Sequence, residues 1–274
     1  MNTVLQVKSL KITYPRSHNP LIQIPEWYVE EGELWIILGA NGSGKTTILY
    51  SITGIIPLLI KAKVEGKIRI SGENPFNSKD VFRKATLLLQ NPYDQLTQST
   101  VENEIIFPLA NLGIEKKKIR VALSYYLNYF GIDSIRFRNP QTLSSGEAQK
   151  TLLSSMFSRE PNIFLFDEPE AHLDFKGKTQ LFKIIKKILE SGKTVIITTH
   201  APENYISLDP KFLFIKQNTT YVYRNLRDLF KNTSSNEIIR LSYEIQKNYD
   251  QFIKDPYSWQ WENYSKKMVE EICL

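Results

Sequence analysis

Residues 4–14, "VLQVKSLKITY", alternate apolar and polar side chains, the two-residue period of a strand with one covered face. Residues 21–29 continue the pattern, so the chain is expected to open with strands of an antiparallel edge sheet. A second kind of segment follows. "ELWIILG" (33–39), "ATLLLQ" (85–90), "NIFLFD" (162–167) and "TVIITTH" (194–200) are short and almost continuously apolar. Such runs suit strands covered on both faces of a parallel sheet. "VEGKIRISGENP", from Val64, reads as a more exposed strand ended by Gly and Pro.

Between these runs the period changes to 3.6. Leu181, Ile184, Ile185, Ile188 and Leu189 fall on one helical face, with Lys183, Lys186 and Lys187 off it. A helix is expected from Lys45, and another over 114–130, headed by Lys116 to Lys118, which read as a solvated start. Strands alternating with helices predict an α/β doubly wound core. The stretch 91–160 is expected to hold an inserted helical subdomain. After about residue 225 the alternation stops, which predicts one large domain over 1–224 and a small helical C-terminal extension over 225–274.

Composition narrows the picture modestly. With 274 residues, 42% hydrophobic, the chain can bury a sizeable core. The net charge of +6 suits phosphate ligands, nucleic acid or an anionic membrane face, and selects none of them. Cys273 is the one cysteine, so no internal disulfide is expected and a reducing compartment fits. The first residues lack the charged start and apolar run of a signal peptide. Ile48 to Ile60 is too short and too interrupted to cross a bilayer.

The chemistry concentrates at strand ends. "GANGSGKT", Gly39 to Thr46, satisfies G-x-x-x-x-G-K-[ST] between an expected strand and an expected helix. Its glycines let backbone N–H groups approach a phosphate, Lys45 neutralises charge, and Thr46 can ligate Mg²⁺. "NIFLFDEPE" places Asp167 and Glu168 at the C-terminal end of a strand, where α/β sheets bind ligands. Asp167 suits a Mg²⁺ shell; Glu168 suits a base facing the attacking water. Gln90 and His200 end two further strands, and Tyr14 ends the first, where it can either pack or stack on a base. "LSSGEAQK", from Leu143, has the S-x-x-E spacing of a capping box, Ser144 capping a helix expected to begin near Glu147, and that helix N-terminus is also a phosphate-binding surface.

Taken in order, "GANGSGKT", Gln90, "LSSGE", "FLFDEPE", "AHLD" and His200 resemble the Walker A, Q-loop, signature, Walker B, D-loop and switch histidine of ATP-binding-cassette (ABC) ATPases, over roughly residues 3–220. "LLLQNPYDQLTQSTVENEIIFPLANLGI" is similar to the Q-loop region of energy-coupling factor (ECF) transporter ATPases. The resemblance implies an ABC-type P-loop core with an antiparallel β subdomain. It implies ATP bound by Tyr14, Gly39, Asn41, Gly42, Ser43, Gly44, Lys45, Thr46 and Thr47. Mg²⁺ would be held by Thr46, Gln90 and Asp167, with Glu168, His200, Gln90 and Lys45 acting in hydrolysis. Ser144, Ser145, Gly146 and Glu147 would cap the ATP of a paired second ATPase, beside the D-loop Asp174.

The family pattern also implies a transmembrane coupling subunit, a substrate-binding membrane subunit, and a peripheral position on the cytoplasmic face of the membrane, with no nucleic-acid partner. The implied cargo is a vitamin or transition-metal ion. The alternatives are an ATPase of another ABC transporter or a soluble nucleic-acid- or ribosome-associated cassette. Ser145 and Glu147 stand where Gly and Gln are usual, and Glu170 and Ala171 where Thr and Ser are common. These departures predict a weakened partner site, through strain if Ser145 requires positive φ, and favour a heterodimer. Trp259 and Trp261 are candidates for the dimer contact of the extension. His172 reads as a D-loop variant without catalytic duty and His18 as a loop residue.

Overall fold

A computed structural model describes residues 2–77, 81–171 and 173–232 of the chain. The alternating segments become β1 (Thr3–Thr13) and β2 (Ile22–Glu30), and the first apolar run becomes β3 (Leu34–Leu38). Then come α1 (Lys45–Ile52), the single turn α2 (Ile55–Leu58), β4 (Lys63–Ile70), the single turn α3 (Val81–Lys84) and β5 (Ala85–Leu88). Three helices interrupt the alternation: α4 (Val101–Asn111), α5 (Lys116–Tyr129) and α6 (Ser145–Ser158). β6 (Ile163–Asp167), α7 (Phe175–Glu190) and β7 (Thr194–Thr198) restore it. β8 (Lys211–Lys216), β9 (Thr219–Tyr223) and α8 (Leu226–Asn232) follow.

The described strands form one sheet in the order β4-β1-β2-β9-β8-β3-β7-β6-β5. Strands β8, β3, β7, β6 and β5 run parallel to one another. Every residue of β3, β5, β6 and β7 is buried, as strands with both faces covered require. Successive side chains point to opposite faces. Phe164, Phe166, Val195 and Ile197 therefore join the hydrophobic cluster shared with α4 to α7, while Ile163, Leu165 and Ile196 join the one shared with α1 and the antiparallel strands. Burying side chains of this size contributes about 1.5–3 kcal/mol each. The consequence for function is geometric: parallel strands bring the ends of β3, β5, β6 and β7 to one edge of the sheet.

The antiparallel part is not a separate edge sheet. β1 pairs antiparallel with β2 and β4, but β2 also meets β9 in parallel, at Gln23 and Thr219, which joins it to the core. The hairpin that makes this junction, β8–β9, turns at Gln217 and Asn218, both with positive φ (48° and 64°). Two left-handed residues in a two-residue loop match the twist of the flanking strands.

In α7, Leu181, Ile185 and Ile188 are buried, and Ile184 and Leu189 pack beside them at partial exposure. In α5, Ile119, Leu123 and Leu127 form the buried stripe, and Lys116 to Lys118 are exposed at its head. α8 packs Leu226 and Leu229 into the core. Residues 233–274, with Trp259, Trp261 and Cys273, and also His172, lie outside the described residues; His18 is exposed in a loop.

Candidate functional site

Strand β3 runs into the glycine-rich turn, and α1 begins at its lysine. Gly44, immediately before α1, has φ 103°, a conformation only glycine adopts without strain. At Gly39 a Cβ atom would lie 2.6 Å from Ser43 Oγ and 3.0 Å from the Ile215 Cβ, so a side chain there would have to displace Ser43 from the turn. Lys45 is 6% exposed, and its ammonium donates to the carbonyls of Gly39 (3.1 Å) and Ala40 (3.3 Å). Burial pushes its pKa down, opposed by the charges of Glu168 and Asp167.

The neighbouring strand ends supply the rest. At the end of β6, Asp167 accepts from Thr46 Oγ1 (2.7 Å) and from Thr198 Oγ1 on β7 (2.6 Å). Glu168 receives Gln90 Nε2 on one carboxylate oxygen (3.2 Å), and His200 Nε2 (2.9 Å) with Lys45 Nζ (3.8 Å) on the other. Its backbone has φ 44°, and its N–H is held by the carbonyl (3.1 Å) and hydroxyl (3.0 Å) of Thr198. A non-glycine residue in the left-handed region costs about 1–3 kcal/mol and persists where its surroundings fix it. Thr198 does that fixing, although the sequence gives it no signal beyond a β-branched strand residue. Tyr14 reaches the same turn, its hydroxyl 3.1 Å from Thr47 Oγ1.

Thus Gln90, Asp167, Glu168, His200, Lys45, Thr46, Thr47 and Tyr14 converge around Gly39, Asn41, Gly42, Ser43 and Gly44. The donor set fits Mg²⁺ and a phosphate chain. A hydroxyl, an amide oxygen and a carboxylate are the hard oxygen ligands that Mg²⁺ prefers. Ser43 Oγ is buried in the turn with no hydrogen-bond partner, an orphan that a phosphate oxygen would satisfy.

Ser144 to Glu147 form a second group. Ser144 Oγ accepts from the Glu147 N–H (3.4 Å), and Glu147 Oε2 accepts from the Ser144 N–H (2.8 Å) and hydroxyl (2.8 Å), completing a capping box. These contacts, the backbone N–H first, hold the Glu147 carboxyl below its usual pKa, and Arg138 lies 3.4 Å away. Helix α6 begins at Ser145, not near Glu147. Ser145 is outside the positive-φ residues of the described chain, so the expected strain of a non-glycine residue there does not arise. A Cβ at Gly146 would meet open space. Asp174 caps α7, accepting from the Gly177 N–H at 2.7 Å.

Two contacts tie this group to the strand ends: Tyr93, just after the Gln90 turn, donates to the Leu143 carbonyl (2.7 Å), and Gln149 of α6 donates to the Pro169 carbonyl (2.9 Å). Glu170, which the sequence marks only as a departure from the D-loop pattern, and Glu203, which carries no sequence signal, are buried, and burial raises both carboxyl pKa values, Glu203 to about 7.

A family model described as ABC transporter matches residues 22–171. The energy-coupling factor transporter ATP-binding protein EcfA of Carboxydothermus hydrogenoformans is 31% identical over 202 residues, 73% of each chain. An EcfA1 protein of Mycoplasmopsis synoviae is 33% identical over 205 residues, 74% of this chain and 75% of its own. The chain spans 41% and 40% of the length of two Saccharolobus solfataricus relatives that it matches at 27% and 29% identity. Among solved structures, cbiO1 of Clostridium perfringens, part of the ABC transporter complex cbiONQ, shares the fold at 22% identity and a TM-score of 0.70, over 93% of this chain and 98% of its own. A dimeric ATP-binding cassette in a post-hydrolysis state, bound to ADP and Pi, does so at 22% identity and a TM-score of 0.69, over 81% and 98%. The chain belongs to the ABC transporter family, of which it carries the ATPase domain.

Proposed function

We propose that this chain binds and hydrolyses ATP as the energising subunit of an ECF-type membrane importer. The observation that carries the reading is the convergence of Lys45, Thr46, Gln90, Asp167, Glu168 and His200 at the ends of four parallel strands. The EcfA relatives, at about 30% identity, support the ECF assignment.

In this reading the N–H groups from Gly39 to Thr46, together with the N-terminus of α1, receive the phosphates, and Lys45 exchanges its carbonyl contacts for phosphate oxygens. Tyr14 and Thr47 border the nucleotide. Thr46, Gln90 and Asp167 would hold Mg²⁺, which would supply charge neutralisation at the phosphates. Glu168 accepts a proton from the attacking water; His200 and Gln90 fix the orientation of its carboxylate. Ser144, Ser145, Gly146 and Glu147 offer the N-terminus of α6 to the nucleotide of a second ATPase subunit, with Asp174 at the junction. Glu147 brings a negative charge to that junction, which favours pairing with a non-identical second ATPase over pairing with a second copy of this chain.

The partners are then that second ATPase, a transmembrane coupling subunit and a substrate-binding membrane subunit, with this chain peripheral on the cytoplasmic face and a vitamin or transition-metal ion as cargo. No described helix is long and apolar enough to cross a membrane, so attachment falls to the partners. The test is purification from detergent-solubilised native membranes. Mg²⁺-dependent ATP hydrolysis, together with copurification of an ECF-type coupling subunit, is the expected result. A different class of membrane partner would move the chain to another type of ABC transporter, and recovery without any membrane protein would overturn the transport reading.

A further inference from the structure

Behind His200 lies a contact set centred on a carboxylate that the scheme above does not use. Glu170 follows the Walker B turn by one residue from Pro169 and is 9% exposed. Its Oε1 accepts from the Thr199 hydroxyl, and its Oε2 accepts from the Tyr205 hydroxyl at 3.3 Å. Thr199 and Tyr205 are each 2% exposed. Thr199 Oγ1 in turn accepts from the Ala201 N–H at 2.9 Å. The residue before His200 is therefore gripped by a side chain, the residue after it is tied to that grip, and the 3₁₀ turn Pro202–Leu208 is anchored through Tyr205 to the same carboxylate.

The other end of this set is equally defined. The Pro169 carbonyl receives Gln149 from α6, and Glu168, two residues before Glu170, receives His200. A buried carboxylate with a donor on each oxygen is satisfied and rigid, whereas losing one donor leaves it or its partner unpaired, at a cost larger than the bond itself contributed.

We propose that Glu170 is a positioning residue for His200: its two hydroxyl contacts lock the segment 199–205 against the Walker B turn and so set the distance between His200 and Glu168. It also makes Pro169–Glu170 the point where motion of the signature helix α6 reaches the histidine. The kinetic part of this proposal rests on the ATPase reading above; the placement of His200 does not.

The test uses the full chain labelled with ¹⁵N-histidine. Three histidines are present, His18, His172 and His200, so the His200 ring resonances are assigned by their loss in His200→Gln. Glu170→Gln keeps the side-chain shape but offers N–H groups where one hydroxyl needs an acceptor, and Thr199→Val removes a donor at constant volume. In both variants the His200 resonances should shift while those of His18 stay in place. In the assembled complex the kcat for ATP should fall about tenfold with KM changed less than about twofold, the pattern of an interaction that matters at the chemical step. The double variant should lose no more than the worse single one, because both cut one link.

If Glu170→Gln fails to fold, Thr199→Val and Tyr205→Phe cut the same contacts from the other side. Unshifted His200 resonances in a folded variant would overturn the proposal, as would losses that add in the double variant. An assembled complex, purified with the parent chain, that hydrolyses no ATP would sink the function proposed above and leave the resonance shift to decide the role of Glu170.

Discussion

His200 Nε2 lies 2.9 Å from one oxygen of Glu168, while Gln90 Nε2 donates to the other at 3.2 Å. A carboxylate held from both sides at the end of a strand has one orientation available to it. Replacing His200 with Gln removes the ring but keeps a polar side chain. Hydrolysis should fall about 10²-fold, with ATP affinity nearly unchanged, as read by steady-state kinetics beside binding of a fluorescent ATP analogue. A parallel loss of affinity would show that His200 serves binding instead.

Lys45 is buried, and among the described residues its ammonium contacts backbone carbonyls and the Glu168 carboxylate. A charge-assisted hydrogen bond contributes about 1.5–3 kcal/mol, so Lys45→Ala should weaken ATP binding about 10- to 100-fold. Calorimetric titration with ATP measures this, and the fold should survive, because no buried carboxylate depends on Lys45 alone.

The capping box predicts a stability effect separable from function. Ser144→Ala should destabilise the chain by about 1 kcal/mol, readable as a lower denaturation midpoint with unchanged slope. Glu147→Gln should cost less. Glu147 is half-buried at the helix start, and the amide oxygen of the glutamine can still accept from the Ser144 N–H. In the assembled transporter the same Glu147→Gln substitution, by removing a negative charge, should raise ATP affinity at the partner's site.

Much of this was legible in the sequence. The apolar runs of β3, β5, β6 and β7 announced doubly covered strands, and each ended in a residue of the site. The β8–β9 hairpin was not read. Its turn is Gln217-Asn218, not the Asn-Gly or Asp-Gly that usually marks two left-handed residues, although "KFLFIK" and "TTYVY" flanking two residues are a hairpin signal. The signature helix was placed two residues late, because the capping box shifts attention to Glu147 when the helix starts just after its cap, Ser144. The contacts of Thr198 and Thr199, and those of Glu170 beyond its departure from the D-loop pattern, were not legible, for a physical reason. Their roles depend on which strand end faces which turn, and that is fixed by the parallel pairing of β6 with β7 and not by local pattern.

Glu203 gives a pH prediction. Burial, with the nearby Glu170 charge, raises its carboxyl to about 7, opposed by its own backbone N–H and by Lys178. Its Oε2 is buried without a partner. The folded chain therefore binds a proton that the unfolded chain has released over the range from about pH 4.5 to about 7, so this group's contribution to stability falls as pH rises through that window. Glu203→Gln should stabilise the chain by about 1–3 kcal/mol at pH 8 and change little at pH 5. Thermal unfolding of both chains at the two pH values checks the sign.

The most direct test of the central claim, that Glu168 acts on water at an ATP held by this chain's own phosphate loop, is Glu168→Gln. In the purified complex, incubated with Mg²⁺ and labelled ATP, the account predicts retained ATP binding and a closed pair carrying unhydrolysed nucleotide. Phosphate release from this site should be lowered by at least about 10²-fold. Phosphate release at the rate of the unchanged protein would contradict it.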